Sequence, residues 1–512
     1  MDGSDFLYSK FISDLPHKPT SCQEKALRAV ASFLQSGDGD ILILNGFAGT
    51  GKTTVLSSVV SVMTSLSMQC ILLAPTGRSA KVLSSYTGRP AYTIHKHIYR
   101  QKSHGDDGFG RFTLSPNKAK GALFVVDEVS LIGLDGGSEG ASFGSGNLLG
   151  DLITFVRNGV DCKLILSGDS AQLPPVGMDE SPALSPEFMN DSFGGVFHST
   201  LTTVVRQQSE SLILENATRI RELITNSVGD IPLNELRLVL DGHKGSDGVA
   251  ARGFVNGRGP GLPGRDRPEG PYRSEPLCPQ GLERVSGAEL LETLTDAYGK
   301  YGEDEVIVLC RSNKRANRYN MGIRAQVLYR EEKLVREDKL MIVKNCYHFV
   351  EDMEGTDYIA NGDIATLLRI SGYEELYGFH FADARLSFPD YDNQEIVAKV
   401  LLDTLESESP SLTYEESGRL YHGVDEDYSH ITVKKKRYEA VREDPFYNAL
   451  QIKYAAAITA HKSQGGQWKC VFIDNPFWQD ILSREDLKWL YTAITRAVEK
   501  VYLINFKDEL FV

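Results

Sequence analysis

The sequence has few cysteines, and none of them is spaced as a disulfide framework or a zinc site requires. Its seven cysteines are scattered over 512 residues, and no two of them form a C-x-x-C pair. An odd, dispersed set of thiols is typical of a protein in a reducing compartment. This pattern excludes small disulfide-stapled domains and cysteine-ligated zinc proteins.

Long hydrophobic runs are also missing. No apolar stretch approaches membrane-spanning length, and the acidic start at residues 1–5 lacks the hydrophobic core of a signal peptide. We therefore expect a cytoplasmic protein with no membrane partner. Positive charges are outnumbered as well, since 55 Lys and Arg face 69 Asp and Glu and the net charge is −14. That balance disfavours nonspecific binding to nucleic acid, although a narrow channel can be basic inside an acidic protein.

The sequence does contain a complete phosphate-binding loop. The apolar run 41–45 predicts a short buried strand, and the segment 46–54 that follows has the spacing G-x-x-x-x-G-K-T. Its glycines let successive backbone N–H groups point inward, and a helix that begins near Lys52 directs its positive end to the same place. We predict that Lys52 reaches the β- and γ-phosphates of a nucleotide and that the Thr53 hydroxyl binds Mg²⁺.

Two carboxylates end a later apolar strand, the run 121–126. Burying Asp127 and Glu128 together is unfavourable unless a cation lies nearby, so a structural role for the pair has little rationale. Asp127 fits a ligand of the Mg²⁺, acting through water. Glu128 fits the group that orients and deprotonates an attacking water.

Further candidate residues follow other predicted elements. Gln23, on an amphipathic helix before the first strand, either reads an adenine edge or is a surface residue. Thr76 and Arg78 follow the second strand and either hold a phosphate of a polymer or belong to an ordinary turn. Gln172 follows the fourth strand, where it could contact a γ-phosphate.

Two arginines are candidate transition-state cations. Arg206 follows a short strand, and Arg496 lies on a helix near the edge of a second α/β region. A lone arginine is usually only solvated, so the role of Arg206 depends on the resemblance described below.

The length predicts two to four domains. We expect one α/β domain at 1–84 and 121–240, and a second at 288–369 and 451–512. Three other segments are a small insertion at 85–120, a Gly/Pro/Arg-rich linker or disordered insert at 241–287, and a small β-rich insertion at 370–450. Within the first insertion, residues 101–120 form either a protruding hairpin or a surface loop. In the last one, the basic run 434–437 is either a solvated face or a DNA contact.

The order and spacing of these motifs resemble those of superfamily 1 DNA helicases. The closest branch is the RecD-like and Dda-like group, superfamily 1B. The resemblance covers about residues 20–215 and 300–512. The segments that carry it are Gln23, the phosphate loop, 74–77, 93–96, 127–130, 168–177, 205–207, 459–465 and 491–496.

The resemblance implies two RecA-like parallel-sheet domains in tandem, a P-loop NTPase fold, with ATP and Mg²⁺ bound between them. It implies a strand-separating pin hairpin in the first insertion and an SH3-like domain at 370–450. The implied activity is 5′-to-3′ translocation on single-stranded DNA, by a cellular or phage-encoded protein. The implied partners are single-stranded DNA, single-strand/duplex junctions, and candidate single-strand-binding, replication or recombination proteins.

Individual roles also follow from the resemblance, by position. It assigns nucleotide contacts to Gln23, Gly46, Ala48, Gly49, Thr50, Gly51, Lys52, Thr53, Thr54 and Gln467, with Thr53 and Asp127 at the metal. It assigns hydrolysis to Lys52, Glu128, Gln172, Arg206 and Arg496. It places along the DNA strand Pro75, Thr76, His95, His461, Ser463 and Gln464.

Two features depart from the pattern of the family. Gln467 stands where an acidic residue often follows the glycines of that motif, which puts its ribose contact in doubt. The Gly/Arg-rich stretch 242–287 has no counterpart in the family.

Other functions remain open at this stage. A DNA-stimulated ATPase could work as a binding switch, or as the motor subunit of a recombination or nuclease complex, without unwinding DNA. A small-molecule kinase is disfavoured because it would not need a second α/β domain with its own arginine.

Overall fold

The computed structural model describes residues 3–101, 112–134, 144–205, 211–227, 229–241, 281–350, 353 and 359–512. Across these ranges, no helix is both long enough and apolar enough to cross a membrane. The strands, in chain order, are β1 (Ile41–Gly46), β2 (Cys70–Ala74), β3 (Ala91–Thr93), β4 (Tyr99–Gln101), β5 (Phe112–Leu114), β6 (Leu123–Val126), β7 (Lys163–Gly168), β8 (Val196–Leu201), β9 (Ile231–Pro232), β10 (Gly281–Val285), β11 (Val306–Cys310), β12 (Lys339–Ile342), β13 (Ile364–Leu376), β14 (Phe379–Phe388), β15 (Gln394–Leu401), β16 (Leu450–Tyr454), β17 (Ala457–Thr459), β18 (Trp468–Asp474), β19 (Ile481–Leu482) and β20 (Ala497–Ile504). The α-helices are α1 (Gly3–Asp14), α2 (Ser21–Gln35), α3 (Lys52–Ser65), α4 (Gly77–Thr87), α5 (Ile94–Ile98), α6 (Leu148–Arg157), α7 (Pro186–Phe193), α8 (Leu212–Asn226), α9 (Leu290–Tyr301), α10 (Asn313–Gln326), α11 (Tyr414–Asp427), α12 (Lys434–Glu443) and α13 (Arg484–Ile494).

The first domain is built on a six-stranded sheet with the order β3-β2-β6-β7-β1-β8, and its pairings are parallel. The apolar runs of β1, β6 and β7 are buried, because both faces of a parallel sheet are covered by other elements. The carboxyl ends of these three strands meet at one edge of the sheet. That edge therefore brings together the phosphate loop, the paired carboxylates and the turn after β7.

The second domain has its own parallel sheet, with the order β10-β20-β18-β11-β17. Strands β18 and β11 lie inside it, and all the residues of β11 are buried. The predicted fold class, two parallel-sheet α/β domains in tandem, is thus confirmed.

The predicted start of the second domain differs from the observed strand pairing. Strand β10 lies inside the segment 241–287, which we predicted to be a linker or insert, yet it pairs with β20. Helix α8 falls within the predicted first domain, yet Ile213 and Ile220 pack in the core of the second sheet. Hydrophobic periodicity identifies an element but does not say on which sheet it packs, which explains both differences.

The second insertion contains a closed barrel of strands β12 to β16. Strand β12, the first half of β13 and all but the first residue of β16 lie in segments that we assigned to the second domain, but these strands pair with one another or with β14 and β15. Between β15 and β16 the chain forms helices α11 and α12, where we predicted irregular β structure. The capping box of Thr413 and Glu416 begins α11, so a helix signal was present in the sequence.

The first insertion is smaller than predicted. Strand β3 belongs to the main sheet and helix α4 reaches Thr87, so the boundary at residue 85 falls inside a helix. Strands β4 and β5 form a two-stranded antiparallel ribbon. The tip of the predicted pin hairpin, at 102–111, lies outside the described residues.

The barrel rests on the start of α4 in the first domain. A Cβ atom on Gly77 would lie 2.7 Å from the Tyr391 hydroxyl and 3.0 Å from Asp363 Oδ1, so this position has room only for glycine unless the barrel moves. The Lys81 ammonium donates a hydrogen bond to the Pro389 carbonyl. These contacts hold the barrel beside Thr76, at the predicted DNA track.

Asp363 is a buried carboxylate at this contact. Its Oδ2 accepts hydrogen bonds from the Tyr391 hydroxyl and the Ala360 N–H, both at 2.7 Å. Burial nevertheless raises the pKa of Asp363 from its ordinary 3.8 to about 7, and these two hydrogen bonds oppose that rise only in part. Because folding favours the neutral acid, the stability that Asp363 contributes is complete at low pH and is lost as the pH rises through about 7.

We therefore expect Asp363→Asn to raise the melting temperature by several degrees at pH 8 and by much less at pH 5. The asparagine keeps an oxygen that can accept both hydrogen bonds, and it removes the charge that burial penalises. Thermal unfolding across this pH range measures the difference. Asp392→Asn is the matched control, because it removes the same charge from an exposed position next to Tyr391, the hydroxyl donor to Asp363. Parallel pH profiles for the two variants would contradict this account.

Candidate active site at the domain interface

The phosphate loop joins β1 to α3 and has the backbone shape that its glycines permit. Gly49 and Gly51 adopt φ angles of 72° and 77°, in the left-handed region that other residues avoid. Helix α3 begins at Lys52, directly after Gly51. The loop can therefore turn its N–H groups and the positive end of α3 toward one anion.

Gln23 lies against this loop rather than on an open surface. Its Nε2 donates to the Thr50 carbonyl at 3.1 Å, and its Oε1 accepts from the Thr20 N–H at 2.9 Å, as part of the capping box of α2. A Cβ atom on Gly51 would lie 2.4 Å from Gln23 Nε2. Both ends of the amide are thus engaged in supporting the loop, and reading an adenine edge would require them to exchange partners.

Lys52 and Asp127 form an ion pair at the centre of the site, with Nζ 3.5 Å from Oδ1. Burial alone would lower the pKa of Lys52, but the charges of Asp127, Glu128 and Asp169 outweigh it and raise that pKa. Lys52 is therefore a permanent cation. Asp127 is held from two further sides, by the hydroxyls of Tyr86 at 2.7 Å and Ser167 at 2.9 Å.

Glu128 follows directly and is held in a strained conformation, with a φ angle of 55°. Its Oε2 is buried and has no hydrogen-bond partner among the described residues. Burial raises the pKa of Glu128, the charge of Lys52 opposes this rise, and that of Asp127 adds to it. A carboxylate with a raised pKa and a free buried oxygen is suited to accept a proton from water.

Gln172 lies in the turn after β7, on the same edge of the sheet. Its Oε1 is also buried without a partner in the part of the chain that the structure describes. The Asn45 side chain holds this turn, through hydrogen bonds to the hydroxyl and the N–H of Ser170. Gln172 thus lies in a turn that is bonded to Asn45, the residue directly before the phosphate loop. Its role as a sensor of the γ-phosphate stays a prediction.

Arg496 reaches this cluster from the second domain. It is buried, and its guanidinium donates to the carbonyls of Thr492 and Gly466, at 3.1 Å and 3.3 Å. Burial lowers the pKa of Arg496, while the charges of Glu128 and Asp169 oppose that effect, so the guanidinium lies near both carboxylates. Among the described residues it forms no ion pair, which leaves a buried cation able to receive an anion. The other predicted arginine, Arg206, lies outside the described residues.

Sequence reasoning did not single out Asp169 and Tyr491. Asp169 is buried, and its two oxygens accept from the Ala171 N–H at 2.9 Å and the Tyr491 hydroxyl at 2.7 Å. Burial raises the pKa of Asp169, although Lys52 opposes this. Both residues lie inside segments that carried the family resemblance, but spacing alone cannot show that a tyrosine in one domain contacts a carboxylate in the other.

These residues fit a nucleotide with its magnesium ion. The loop supplies N–H donors and a lysine for phosphates, and two orphaned oxygens, Glu128 Oε2 and Gln172 Oε1, are available for water. Thr53 is exposed on the first turn of α3, and Thr54 beside it is partly exposed. Within the described ranges no group of three His, Cys, Asp or Glu side chains could hold a metal. Mg²⁺ would instead be held by phosphates, water, Thr53 and Asp127.

One of the predicted DNA-contacting residues of the first domain, Thr76, also stabilises the fold. Thr76 caps α4, and its hydroxyl accepts from the Ser79 N–H at 3.2 Å. Pro75 and His95 are partly exposed. Burial lowers the pKa of His95 to about 4, so its ring is neutral at pH 7 and would contact DNA by stacking or hydrogen bonding rather than by charge.

In the second domain, two of the predicted DNA contacts are not exposed. Ser463 is buried and donates to the Ala460 carbonyl at 2.7 Å, while Gln464 donates across the interface to the Leu173 carbonyl at 2.8 Å. The resemblance places both residues along the DNA strand, but the structure satisfies these hydrogen bonds inside the protein. His461 is partly exposed, and burial lowers its pKa.

Gln467 is exposed, and its carbonyl accepts from Arg78 of the first domain at 3.5 Å. The Arg78 guanidinium stacks on the Trp468 ring, 4.2 Å from the ring centre. The structure therefore joins Gln467 to the candidate phosphate-binding turn after β2. Its predicted ribose contact stays a prediction.

Comparison with known proteins gives matches over both halves of the chain. Residues 21–226 match a family described as an AAA domain, and residues 454–504 match one described as a UvrD-like helicase C-terminal domain. A solved structure of Pif1 helicase from Bacteroides, in complex with ADP-AlF3 and single-stranded DNA, is 14% identical. It aligns over 97% of this chain and 95% of its own, with a TM-score of 0.45.

Several curated relatives are helicases by name. The ATP-dependent RecD2 DNA helicase of Deinococcus radiodurans is 31% identical over 237 residues, which is 46% of this chain and 28% of the relative. The ATP-dependent DNA helicase dda of Enterobacteria phage T4 is 29% identical over 205 residues, 40% of this chain and 42% of the relative. The matched region thus spans less than half of either relative. The sequence matches thus confirm the resemblance to superfamily 1B helicases of the RecD-like and Dda-like branch.

Proposed function

We propose that this protein is an ATP-dependent DNA helicase that moves 5′-to-3′ along single-stranded DNA and separates duplex ahead of it. The observation that carries the proposal is the composite site. Lys52, Asp127 and Glu128 come from the first domain, and Arg496 comes from the second. A site completed by two domains makes nucleotide chemistry depend on how closely they approach. The names of the RecD2 and Dda relatives support DNA as the track.

The residues divide the hydrolytic step among them. Bound Mg²⁺-ATP would supply the γ-phosphoryl group that is transferred to water. Lys52 and the loop N–H groups hold the phosphates, and Thr53 and Asp127 hold the ion. Glu128 orients water and accepts its proton through the free Oε2. Arg496 stabilises negative charge that develops during transfer, from a position that only the second domain can provide.

Movement follows from the same geometry. Arg496 is attracted to phosphates held by the first domain, so nucleotide favours approach of the two domains, and hydrolysis weakens that attraction. The DNA track runs across both domains, near Thr76 and His95 on one side and His461 on the other. Alternate gripping by the two sides produces directed travel only if the nucleotide states differ in their affinity for DNA. Backbone contacts and stacking would grip without reading sequence.

The proposal includes single-stranded DNA and single-strand/duplex junctions as partners, with single-strand-binding, replication or recombination proteins as candidates. It places the protein in the cytoplasm, where ATP and DNA both occur. The pin hairpin at 101–120 and an SH3-like role for the barrel belong to the same proposal. A DNA-stimulated ATPase that acts as a switch, or as a motor subunit without unwinding, uses the same site and is the second candidate.

We expect single-stranded DNA to stimulate ATP hydrolysis, and Glu128→Gln to reduce the stimulated rate by about 100-fold or more while nucleotide binding persists. Glutamine keeps the shape of the side chain but cannot accept the proton. Steady-state ATPase assays and binding of a fluorescent ATP analogue measure the two effects. Lowering the pH should reduce the rate of the parent protein, because it protonates Glu128. Since the pKa of Glu128 is raised, this loss should begin at a higher pH than for an ordinary carboxylate.

Two further variants sharpen this test. Glu222→Gln removes an exposed carboxylate of α8 and should leave the rate unchanged. Lys52→Ala should abolish hydrolysis, because it removes the cation that holds the phosphates. Equal ATP turnover with and without DNA in the parent protein would contradict a motor function.

Strand displacement separates the two candidate functions. We expect duplexes with a 5′ single-stranded tail to be unwound in the presence of ATP, and duplexes with a 3′ tail to stay intact, because the proposed travel is 5′-to-3′. Release of a fluorescent strand measures unwinding, and Glu128→Gln serves as the inactive control. Unwinding of the 3′-tailed duplex alone would refute the polarity. Stimulated hydrolysis without unwinding of either duplex would favour the switch or subunit.

A further inference from the structure

The hydroxyl of Tyr491 occupies an unusual place between the two domains. Tyr491 belongs to α13 of the second domain and is buried. Its oxygen accepts a hydrogen bond from the Ala48 N–H of the phosphate loop at 2.9 Å. The same hydroxyl donates to Asp169 Oδ2 at 2.7 Å. One atom of the second domain thus holds two parts of the nucleotide site of the first.

The directions of these hydrogen bonds form a chain from amide to hydroxyl to carboxylate. Burial raises the pKa of Tyr491 well above its ordinary value, and Asp169 adds to the rise, so the hydroxyl keeps its proton. A buried chain of this kind strengthens each of its members. The tyrosine hydroxyl is therefore matched to both partners and not merely packed between them.

Neighbouring contacts bind the same face of α13 to the turn after β7. The Thr492 hydroxyl accepts from the Leu173 N–H at 2.8 Å. The Lys488 ammonium donates to the Asp179 carbonyl at 2.9 Å. These residues dock the helix on the first domain, but Tyr491 alone among these three contacts the phosphate loop.

The end of α13 carries this contact on to Arg496. The Thr495 N–H and hydroxyl both donate to the Tyr491 carbonyl, at 3.1 Å and 2.8 Å. Arg496 Nε donates to the Thr492 carbonyl. The position of the guanidinium is thus set by backbone that begins at Tyr491, so a shift of the phosphate loop at Ala48 can be transmitted to the cation.

We propose that Tyr491 is a positioning residue that couples the phosphate loop to the second domain, through its hydroxyl bridge between Ala48 and Asp169. The inference deepens the proposed function and rests on it, since coupling has a readout only in an ATPase that responds to DNA. Nucleotide that moves the loop would displace or tighten this bridge, and α13 with Arg496 would follow. In this role Asp169 links Tyr491 to the charged cluster around Lys52, and the role requires no proton transfer.

The test is Tyr491→Phe, which removes one oxygen and keeps the ring in place. We expect the ratio of DNA-stimulated to DNA-free kcat to fall about tenfold, which corresponds to the loss of about 1.4 kcal/mol of coupling, the size of a hydrogen bond. The KM for ATP should change about twofold or less, because the phosphate contacts of Lys52 remain. The melting temperature should fall by only a few degrees, because the ring stays packed while the Ala48 N–H and the Asp169 carboxylate lose this partner.

Tyr319→Phe is the matched control. Tyr319 also donates a hydrogen bond from its hydroxyl to a carboxylate, Asp474, at 2.8 Å, but it does so entirely within the second domain. Its coupling ratio should equal that of the parent. A ratio that is unchanged in Tyr491→Phe, or lowered equally in both variants, would overturn the inference.

A double-mutant cycle with Asp169→Asn makes the result independent of any general loss of stability. If the hydroxyl acts through Asp169, the double variant loses no more of the coupling ratio than the more affected single variant. Losses that simply multiply would refute the bridge. If the parent protein shows no stimulation by DNA, the proposed function itself fails, and that outcome is visible before any variant is made.

Discussion

The structure depends on the way buried charge is balanced around Lys52. Three carboxylates, Asp127, Glu128 and Asp169, surround this cation, and Arg496 approaches the same cluster from the other domain. Removing so many charges from water is unfavourable unless they neutralise one another or a ligand. The protein places them at the carboxyl edge of a parallel sheet, where strand ends converge and backbone dipoles are exposed. The cluster therefore lies where a nucleotide with its magnesium ion would balance it, because the phosphates would pair with Lys52 and Arg496 and the metal ion with the carboxylates.

The domain interface makes this balance sensitive to conformation. Arg496 is held by carbonyl groups of its own domain and lacks an ion pair within the described residues. A buried guanidinium without an ion pair is stabilised most when an anion binds to it. The first domain can present such an anion only through its phosphate loop. In the proposed function, this electrostatic attraction favours approach of the two domains when nucleotide is bound and their separation when its terminal phosphate is lost.

Much of this arrangement could be predicted from the sequence, because local chemistry determines it. Apolar runs such as 41–45 and 121–126 indicate buried strands, and the glycine spacing before Lys52 permits only a narrow range of loop shapes. The carboxylates at 127 and 128 were predictable because they end a buried strand. The motif order then identified the second domain and Arg496. In each case, the residues that carry the signal are adjacent in the chain.

The parts that could not be predicted depend on contacts between distant segments. The assignment of β12 and β13 to the barrel, and of α8 to the second core, follows from pairing and packing that periodicity does not encode. Gln464 is polar, and its partner is a carbonyl 291 residues earlier, so its burial was invisible in the sequence.

The same limit explains why Tyr491 was missed, although it lies within a segment that carries the family resemblance. A tyrosine in an apolar helix is indistinguishable from a core residue until the helix is docked. Docked on the first domain, its hydroxyl meets the Ala48 N–H and the buried Asp169 carboxylate, and this carboxylate would otherwise lack the partner. An unpaired buried polar group is costly, so the interface favours this residue type at this position. The domains thus dock in an orientation that gives hydrogen-bond partners to polar groups of the nucleotide site. The chemistry of that site therefore constrains how the two domains can pack against each other.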